Sequence, residues 1–468
     1  MRTIQDFQQA IPGPGKEYAT TSQGNSVQII GWVFLLVIAA VTAASYPLGF
    51  QTAITILTVF GFAAAIVGIV WPVVGLLGIG LLCTLDAVTR NFLLTGGVLR
   101  WNTLNYWLLI VMVLNLGFLI RINDIHSRIL QLFVFVISVE LIYSSNLAGG
   151  IQDVLNVVTT FGILIYFIRS VKDNEKSFYW LGIVNGVLGA LITMVYYQQS
   201  ARLPYINPNS LAFFPVTALF SICLGFSFAR NGRQKFVLFA LAVINFVWIF
   251  LSGSRGNLLT GFWCLLFLII KSRSFSWTVL LVGMVVIGAL FVSSQYLEEQ
   301  THTLERVQRL FNPNLSLASR TSQRSDLASG GIQLFLENPL GVGTGSFESE
   351  FANIDIYSRI KPAHSAWVKV LAENGVLGIF LMVAFLLSFV VVGWKKRKED
   401  LFLIGLLVGL SFAVVFISKE FQGKGLWFLA AGGIFLLHRE EMTQTFEGKI
   451  FQRFQQKYIF RTDRHWYR

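Results

Sequence analysis

Charged residues are scarce in this sequence. Only 13% of the 468 residues are Asp, Glu, Lys or Arg, whereas 54% are hydrophobic. Soluble globular proteins average about 25% charged residues, so a chain this long could not cover a water-facing surface. The composition therefore excludes an ordinary cytosolic enzyme and a disordered protein. The three cysteines all lie inside apolar stretches and are interpreted as buried hydrophobic residues, not as a disulfide framework or a metal cluster. They are Cys83, Cys223 and Cys264.

The motifs of soluble enzymes are also missing. The sequence has no P-loop, no G-x-S-x-G, no H-E-x-x-H and no C-x-x-C. It has no D-x-D pair of the kind that holds a nucleotide-bound cation, and no cluster of His and carboxylate residues is visible in it. We therefore expect any enzymatic activity to need neither a metal nor another cofactor.

Long apolar segments dominate what is present. The mean hydropathy is +0.65, and about fourteen apolar segments lie between residues 27 and 438. This pattern predicts an all-α, polytopic membrane helix bundle with roughly twelve to fourteen transmembrane helices. Trp71-Pro72 is expected to form either a tight turn between two helices or a kink within one.

Basic residues recur in alternate loops, which predicts that those loops and both termini are cytoplasmic. The net charge of +12 is interpreted in the same way, and not as a nucleic-acid-binding surface. Five parts of the chain are predicted. They are a polar cytoplasmic tail (1–26), N-terminal transmembrane helices (27–294), a large extracytoplasmic loop (295–365), C-terminal transmembrane helices (366–438) and a basic amphipathic cytoplasmic tail (439–468).

The large loop is the first place to expect function, because long loops in compact proteins are usually functional. Within it, residues 325–337 are predicted to be helical, and Asn338-Pro339 should end the helix. Gly341, Gly343 and Gly345 then predict a flexible turn.

Several polar residues are candidates for chemistry on the outer side. Arg255 follows Ser252-Gly253-Ser254 between two apolar helices, where small residues would let a phosphate approach. Arg320 and Arg324 are four residues apart and would share one helix face. His364 ends the loop, and an i, i+4 pair of Lys369 and Glu373 follows it. Each candidate also has an interpretation without a function. Arg255 could extend its side chain to the membrane surface, the loop arginines could be solvated, and His364 could simply lie at the membrane interface.

Two other classes of function remain open at this point. Glu140 lies in the middle of an apolar segment, and an intramembrane carboxylate is by default a functional-site candidate, which favours a solute transporter. The chain shows no repeated halves and no paired broken helices, which argues against one. A non-catalytic envelope assembly protein is the other alternative, and the outer arginine and histidine residues argue against it.

Three motifs carry a resemblance to a known family. His364-Ser365 is followed after nine residues by Gly375-Val376-Leu377-Gly378. Arg324 precedes a Pro-Leu-x-Gly-x-Gly turn at 339–343, and Ser254-Arg255-Gly256 forms a third motif. In order and spacing, these motifs resemble those of the O-antigen ligase and polymerase superfamily, over roughly residues 250–393. One departure is that Ala328 replaces the leucine expected four residues after the loop arginine, whereas Arg306 has Leu310 at that spacing.

The resemblance implies transfer of a glycan from undecaprenyl pyrophosphate to an acceptor hydroxyl at the periplasmic face of the bacterial inner membrane. The acceptor would be a lipid-anchored core for a ligase or another lipid-linked glycan for a polymerase. His364, Arg324 and Arg255 would be catalytic, and membrane lipids would surround the protein, with no nucleic-acid partner. Substrate-binding positions would be Arg320, Ser254, Gly343 and Glu373.

Overall fold

The protein is described by a computed structural model over residues 15–92, 103–120, 122–173, 176–200, 208–252, 254–272, 324–353, 365–396, 398–418 and 423–442. These residues form α-helices and connecting turns, and no strand occurs among them. The predicted apolar segment 277–294, most of the 295–365 loop and the tail beyond residue 442 lie outside the described residues.

Sixteen helices are described in chain order. They are α1 (Gly15–Leu48), α2 (Phe50–Val67), α3 (Pro72–Phe92), α4 (Thr103–Leu114), α5 (Leu116–Leu119), α6 (Ile125–Val139), α7 (Leu147–Asp173), α8 (Lys176–Ser200), α9 (Pro208–Phe226), α10 (Gly232–Leu251), α11 (Arg255–Ser272), α12 (Arg324–Glu337), α13 (Phe347–Ala352), α14 (Ala366–Lys395), α15 (Glu399–Ser418) and α16 (424–442). A short 3₁₀ turn, Glu140–Tyr143, follows α6.

The predicted fold class is confirmed: the chain is an all-α, polytopic helix bundle. Within the described part, seven helices are long and apolar enough to cross a membrane, and five shorter apolar helices accompany them. Of the two arrangements expected at Trp71-Pro72, the structure has the turn between two helices, because α2 ends at Val67 and Pro72 is the first residue of α3. Helix α1 begins at Gly15, inside the predicted polar tail.

Helix α16 lies in the core of the bundle. Its apolar residues are buried on every side of the helix, including Trp427, Phe428, Ile434 and Phe435, as expected for a helix that is hydrophobic all round. The three cysteines are free and buried, as predicted.

A second, smaller apolar cluster joins α12, α13 and α14. It consists of Leu327, Leu334, Phe347, Phe351 and Ala372. This cluster seats the helix that begins at Arg324 directly on the first half of α14.

Candidate active site

Helix α14 is broken at Gly375, and the break is where the loop motif docks. Gly375 has a φ of 58° and a ψ of −152°, which are not helical values. The turn at 338–346 lies against the break: the Val342 and Gly343 amides donate to the carbonyls of Ala372 and Glu373 at 3.0 Å. In return, the Val376 amide donates to the Pro339 carbonyl at 3.1 Å. The break thus exposes backbone groups of α14, and the turn satisfies them.

The glycines of this turn are closely packed and have positive φ values. Gly341, Gly343 and Gly345 have φ values of 93°, 98° and 87°, a region that favours glycine. A side chain at Gly341 would overlap the Glu373 carbonyl, and one at Gly345 would overlap the backbone of Gly150. The backbone of the turn therefore packs between α14 on one side and α7 on the other, and the expectation of flexibility stays a prediction.

A buried polar network lies beneath the turn. The Thr344 hydroxyl donates to Glu140 Oε2 at 3.2 Å, and the Asn374 amide donates to both groups, to Thr344 Oγ1 at 2.8 Å. Glu140 begins the 3₁₀ turn after α6, near the end of the span Ile125–Tyr143. The prediction that Glu140 lies in the middle of a span is therefore wrong, because Glu140 lies three residues before the end of the span.

The register of α12 against α14 places Arg324 near the beginning of α14. Gly331 faces Val368, and Pro339 bonds to Val376, so both contacts pair positions that are 37 residues apart. The two helices therefore run parallel. Arg324 is seven residues before Gly331, whereas Ala366 is two residues before Val368, so Arg324 lies about one helical turn beyond the start of α14. His364 immediately precedes Ser365, the N-cap of α14.

Helix α11 brings Arg255 to the same end of the bundle. The ion pair of Lys271 and Asp400, with an Nζ to Oδ1 distance of 2.9 Å, joins the end of α11 to the start of α15, so these helices are antiparallel. Arg255 precedes Lys271 by 16 residues on α11, and Phe416 follows Asp400 by 16 residues on α15. Arg255 and Phe416 therefore lie at the same level along the axes of the two helices. The Phe416 carbonyl in turn accepts a hydrogen bond from the Ser365 hydroxyl at 3.0 Å.

Two of the three predicted catalytic positions therefore lie at the end of the bundle where α14 begins. Arg255 and Arg324 are the first residues of α11 and α12, and His364 and Arg320 lie outside the described residues.

The predicted substrate-binding positions are mostly engaged within the protein. Ser254 is buried, and its hydroxyl accepts a hydrogen bond from Asn257 at 3.0 Å. The Gly343 amide is already bonded to Glu373. The Glu373 side chain is 1% exposed and accepts a hydrogen bond from the Phe347 amide at 2.9 Å. These contacts stabilise the turn and the start of α11, and substrate contacts by these residues stay predictions.

Comparison with known families decides the assignment of this region. The family model described as O-antigen ligase matches residues 239–383. This region, about a third of the chain, is similar to the O-antigen ligase family. The matched region contains all seven predicted site residues, the break in α14 and the turn that covers it. Together with the membrane helices, this O-antigen ligase domain indicates a membrane enzyme that processes glycans, of the ligase or polymerase type. A comparison with curated proteins found no match.

Several polar residues outside the O-antigen ligase domain complete the region, and the sequence analysis missed them. Asp153 of α7 forms a buried ion pair with Lys369 of the domain, with an Nζ to Oδ2 distance of 2.6 Å. One turn further along α7, Asn156 and Thr159 accept hydrogen bonds from the buried Lys424 ammonium at 2.8 and 3.0 Å. Two lysines thus reach the same polar face of α7. A charge at the edge of an apolar segment is the signal that could have identified them.

A cluster that could hold a metal lies elsewhere in the bundle. One ligand atom from each of Asp124, His126 and His438 lies within 4.8 Å of the others, and all three residues are buried. The expectation that the chain has no such cluster is therefore wrong, because His438 is 312 residues from His126 and no sequence spacing relates them. Burial opposes the charge of Asp124, but the His126 imidazole 3.6 Å away and a hydrogen bond from the Ser127 amide hold the pKa of this carboxyl below its ordinary value.

Proposed function

We propose that this protein transfers a glycan from undecaprenyl pyrophosphate to an acceptor hydroxyl at the periplasmic face of the bacterial inner membrane, as an O-antigen ligase. The observation that carries the proposal is that Arg255, Arg324 and Ser365 lie at one end of the bundle. Both arginines begin a helix there, and His364 directly precedes Ser365 in the sequence. The positive ends of two helix dipoles add to the arginine charges at this end.

The arginines suit the departure of a lipid pyrophosphate. The acceptor oxygen attacks the anomeric carbon, and the bond between that carbon and the pyrophosphate oxygen breaks. The leaving pyrophosphate gains negative charge as the bond breaks. Arginine stays protonated and binds phosphate oxygens in a bidentate manner. Arg255 and Arg324 would therefore stabilise the leaving group without a metal in the reaction.

Each arginine should contribute substantially to the rate. By analogy with a donor in an oxyanion hole, loss of one such contact costs about 2–4 kcal/mol of transition-state stabilisation, or about 30-fold to 10³-fold in rate. Alanine at Arg255 or Arg324 should therefore reduce transfer to near background while the protein is still produced and inserted.

His364 would accept the proton from the acceptor hydroxyl. The unperturbed pKa of histidine, about 6.5, suits a base at neutral pH, and two nearby arginines would lower it by disfavouring the charged imidazolium. The alternative role is a cationic contact with the pyrophosphate. We favour the base because the arginines already supply positive charge.

The buried contacts around α14 would hold these groups in place. The turn at 338–346 fixes the end of α12 to the break at Gly375, and the pair of Asp153 and Lys369 ties α14 to α7 one turn after its start. A catalytic group needs such support, since small displacements reduce rate strongly. These residues therefore act as positioning residues in the proposed enzyme.

A polymerase would use the same donor and the same site with another lipid-linked glycan as acceptor. The glycan that accumulates in a deletion strain distinguishes the two. Long uncapped chains on the lipid carrier would establish the ligase, and single repeats on the carrier would establish the polymerase. Normal lipid-linked and finished glycans in the deletion strain would contradict both.

A further inference from the structure

The group of Asp124, His126 and His438 lies far from the proposed active site along the helix axes. Asp124 is the N-cap of α6, which ends next to Glu140 in the network under the turn. The 15 residues of α6 span about 22 Å. His438 lies fourteen residues after Lys424, the first residue of α16, and this separation is also about 21 Å. The group therefore joins the start of α6 to the far end of α16.

The distances within the group match those of metal ligands. His126 Nδ1 lies 3.1 Å from His438 Nε2 and 3.6 Å from Asp124 Oδ1. Two nitrogens bound at 2.0–2.1 Å to one tetrahedral zinc ion are about 3.3 Å apart. The two distances from His126 thus lie within a few tenths of an ångström of those around a zinc ion, and the ligand atoms of all three residues lie within 4.8 Å of one another.

The outer contacts of the group also resemble those of a metal site. His438 Nδ1 donates to Glu441 Oε2 at 3.1 Å, and the other ring nitrogen, Nε2, faces His126 Nδ1. Histidines that bind metals usually donate their second ring N–H to a carboxylate in this way. Asp124 Oδ2 is buried and has no hydrogen-bond partner among the described residues. A carboxylate oxygen is therefore available inside the group.

Burial and donor chemistry favour one kind of ion. His126 is fully buried, and Asp124 and His438 are each 6% exposed. The Phe389 ring packs on His126 with a centroid distance of 4.3 Å. Two imidazoles and one carboxylate suit zinc among the common cellular cations, whereas magnesium and calcium prefer oxygen ligands.

We propose that Asp124, His126 and His438 bind one zinc ion, with Glu441 orienting His438, and that this ion clamps α16 to α6. The site is structural: it links segments that are distant in sequence at the end of the bundle away from the transfer chemistry. Bound zinc would stabilise the folded chain, because the three ligands meet only in the folded state.

The test uses the full-length protein purified in detergent without added chelator. Elemental analysis should find about one zinc per chain in the wild type and in His302→Ala, which removes a histidine that the group does not use. His438→Asn and Asp124→Asn should each retain less than a tenth of that zinc. Glu441→Gln should bind zinc about 10-fold to 100-fold more weakly, as measured by competition with a chromogenic chelator.

Thermal unfolding supplies a second readout. A variant that merely folds poorly would not explain a wild-type unfolding midpoint that falls on chelation and recovers with zinc. Chelation should lower the unfolding midpoint of the wild type, added zinc should restore it, and the midpoint of His438→Asn should respond to neither. Zinc-free wild-type protein whose midpoint does not respond to zinc, or variants that bind zinc as the wild type does, would overturn the site and leave a hydrogen-bonded histidine pair.

Discussion

The buried ion pair of Asp153 and Lys369 provides the sharpest structural test near the proposed active site. The two side chains are 4% and 10% exposed, and Lys369 Nζ also lies 3.9 Å from Glu373 Oε1. Lys369→Met would leave two buried carboxylates without their cation. Removing one partner of a buried pair costs about 3–5 kcal/mol, and we expect a loss of unfolding free energy in this range. Asp153→Asn should cost a similar amount, since it removes the carboxylate closest to the Lys369 ammonium.

The double variant distinguishes a true pair from two independent defects. In Asp153→Asn with Lys369→Met, no charge of the pair remains unmatched, and interacting residues typically show a coupling of about 0.5–3 kcal/mol. We expect a coupling near the upper end, about 2–3 kcal/mol, because both side chains are nearly fully buried. The double variant should therefore be much more stable than the sum of the two single losses predicts.

The assay is the unfolding midpoint of purified protein in detergent, measured for all four members of the cycle. Lys398→Met is the matched control, because Lys398 pairs with Glu440 at 3.7 Å but the two side chains are 67% and 85% exposed. Such an exposed pair contributes less than about 1 kcal/mol. Additive losses in the cycle, or an equal loss in the control, would refute the argument that burial makes the pair of Asp153 and Lys369 important.

Three further predictions concern the proposed chemistry and topology. Arg324→Ala should abolish transfer to a lipid-anchored acceptor while Arg306→Ala retains it, and the reverse result would assign the role to the other loop arginine. Transfer by the wild type should decline as the pH falls, because a protonated His364 cannot accept a proton, and His364→Lys should be inactive at pH 7, since lysine with an ordinary pKa is protonated there; substantial activity of this variant would favour a cationic contact. A cysteine at Ser316 should react with an impermeant thiol reagent applied from outside, whereas labelling only after membrane disruption would reverse the predicted topology.

The sequence predicts the helices well because burial in a bilayer requires long apolar segments. The helix expected at 325–337 differs from the observed Arg324–Glu337 by one residue. Its C-terminal end could be predicted because Pro339 and the glycines after it disfavour continuation of the helix. The break at Gly375 was not predicted. A single glycine inside an apolar helix pattern is usually tolerated, and only the docked turn shows why the helix is interrupted there.

The polar contacts of the bundle could not be predicted because sequence gives their members but not their pairing. Asp153 and Asn156 lie near the start of the apolar part of α7. Lys369 and Lys424 lie near the starts of α14 and α16. Water is absent from the bilayer core, so each of these groups needs a partner inside the protein. Which lysine meets Asp153 depends on the level at which each helix crosses α7. Lys369 lies one turn into α14 and reaches Asp153, and Lys424 at the start of α16 reaches Asn156 one turn deeper. The position of each helix along its axis, which depends on packing over the whole bundle, therefore determines which polar side chains contact each other.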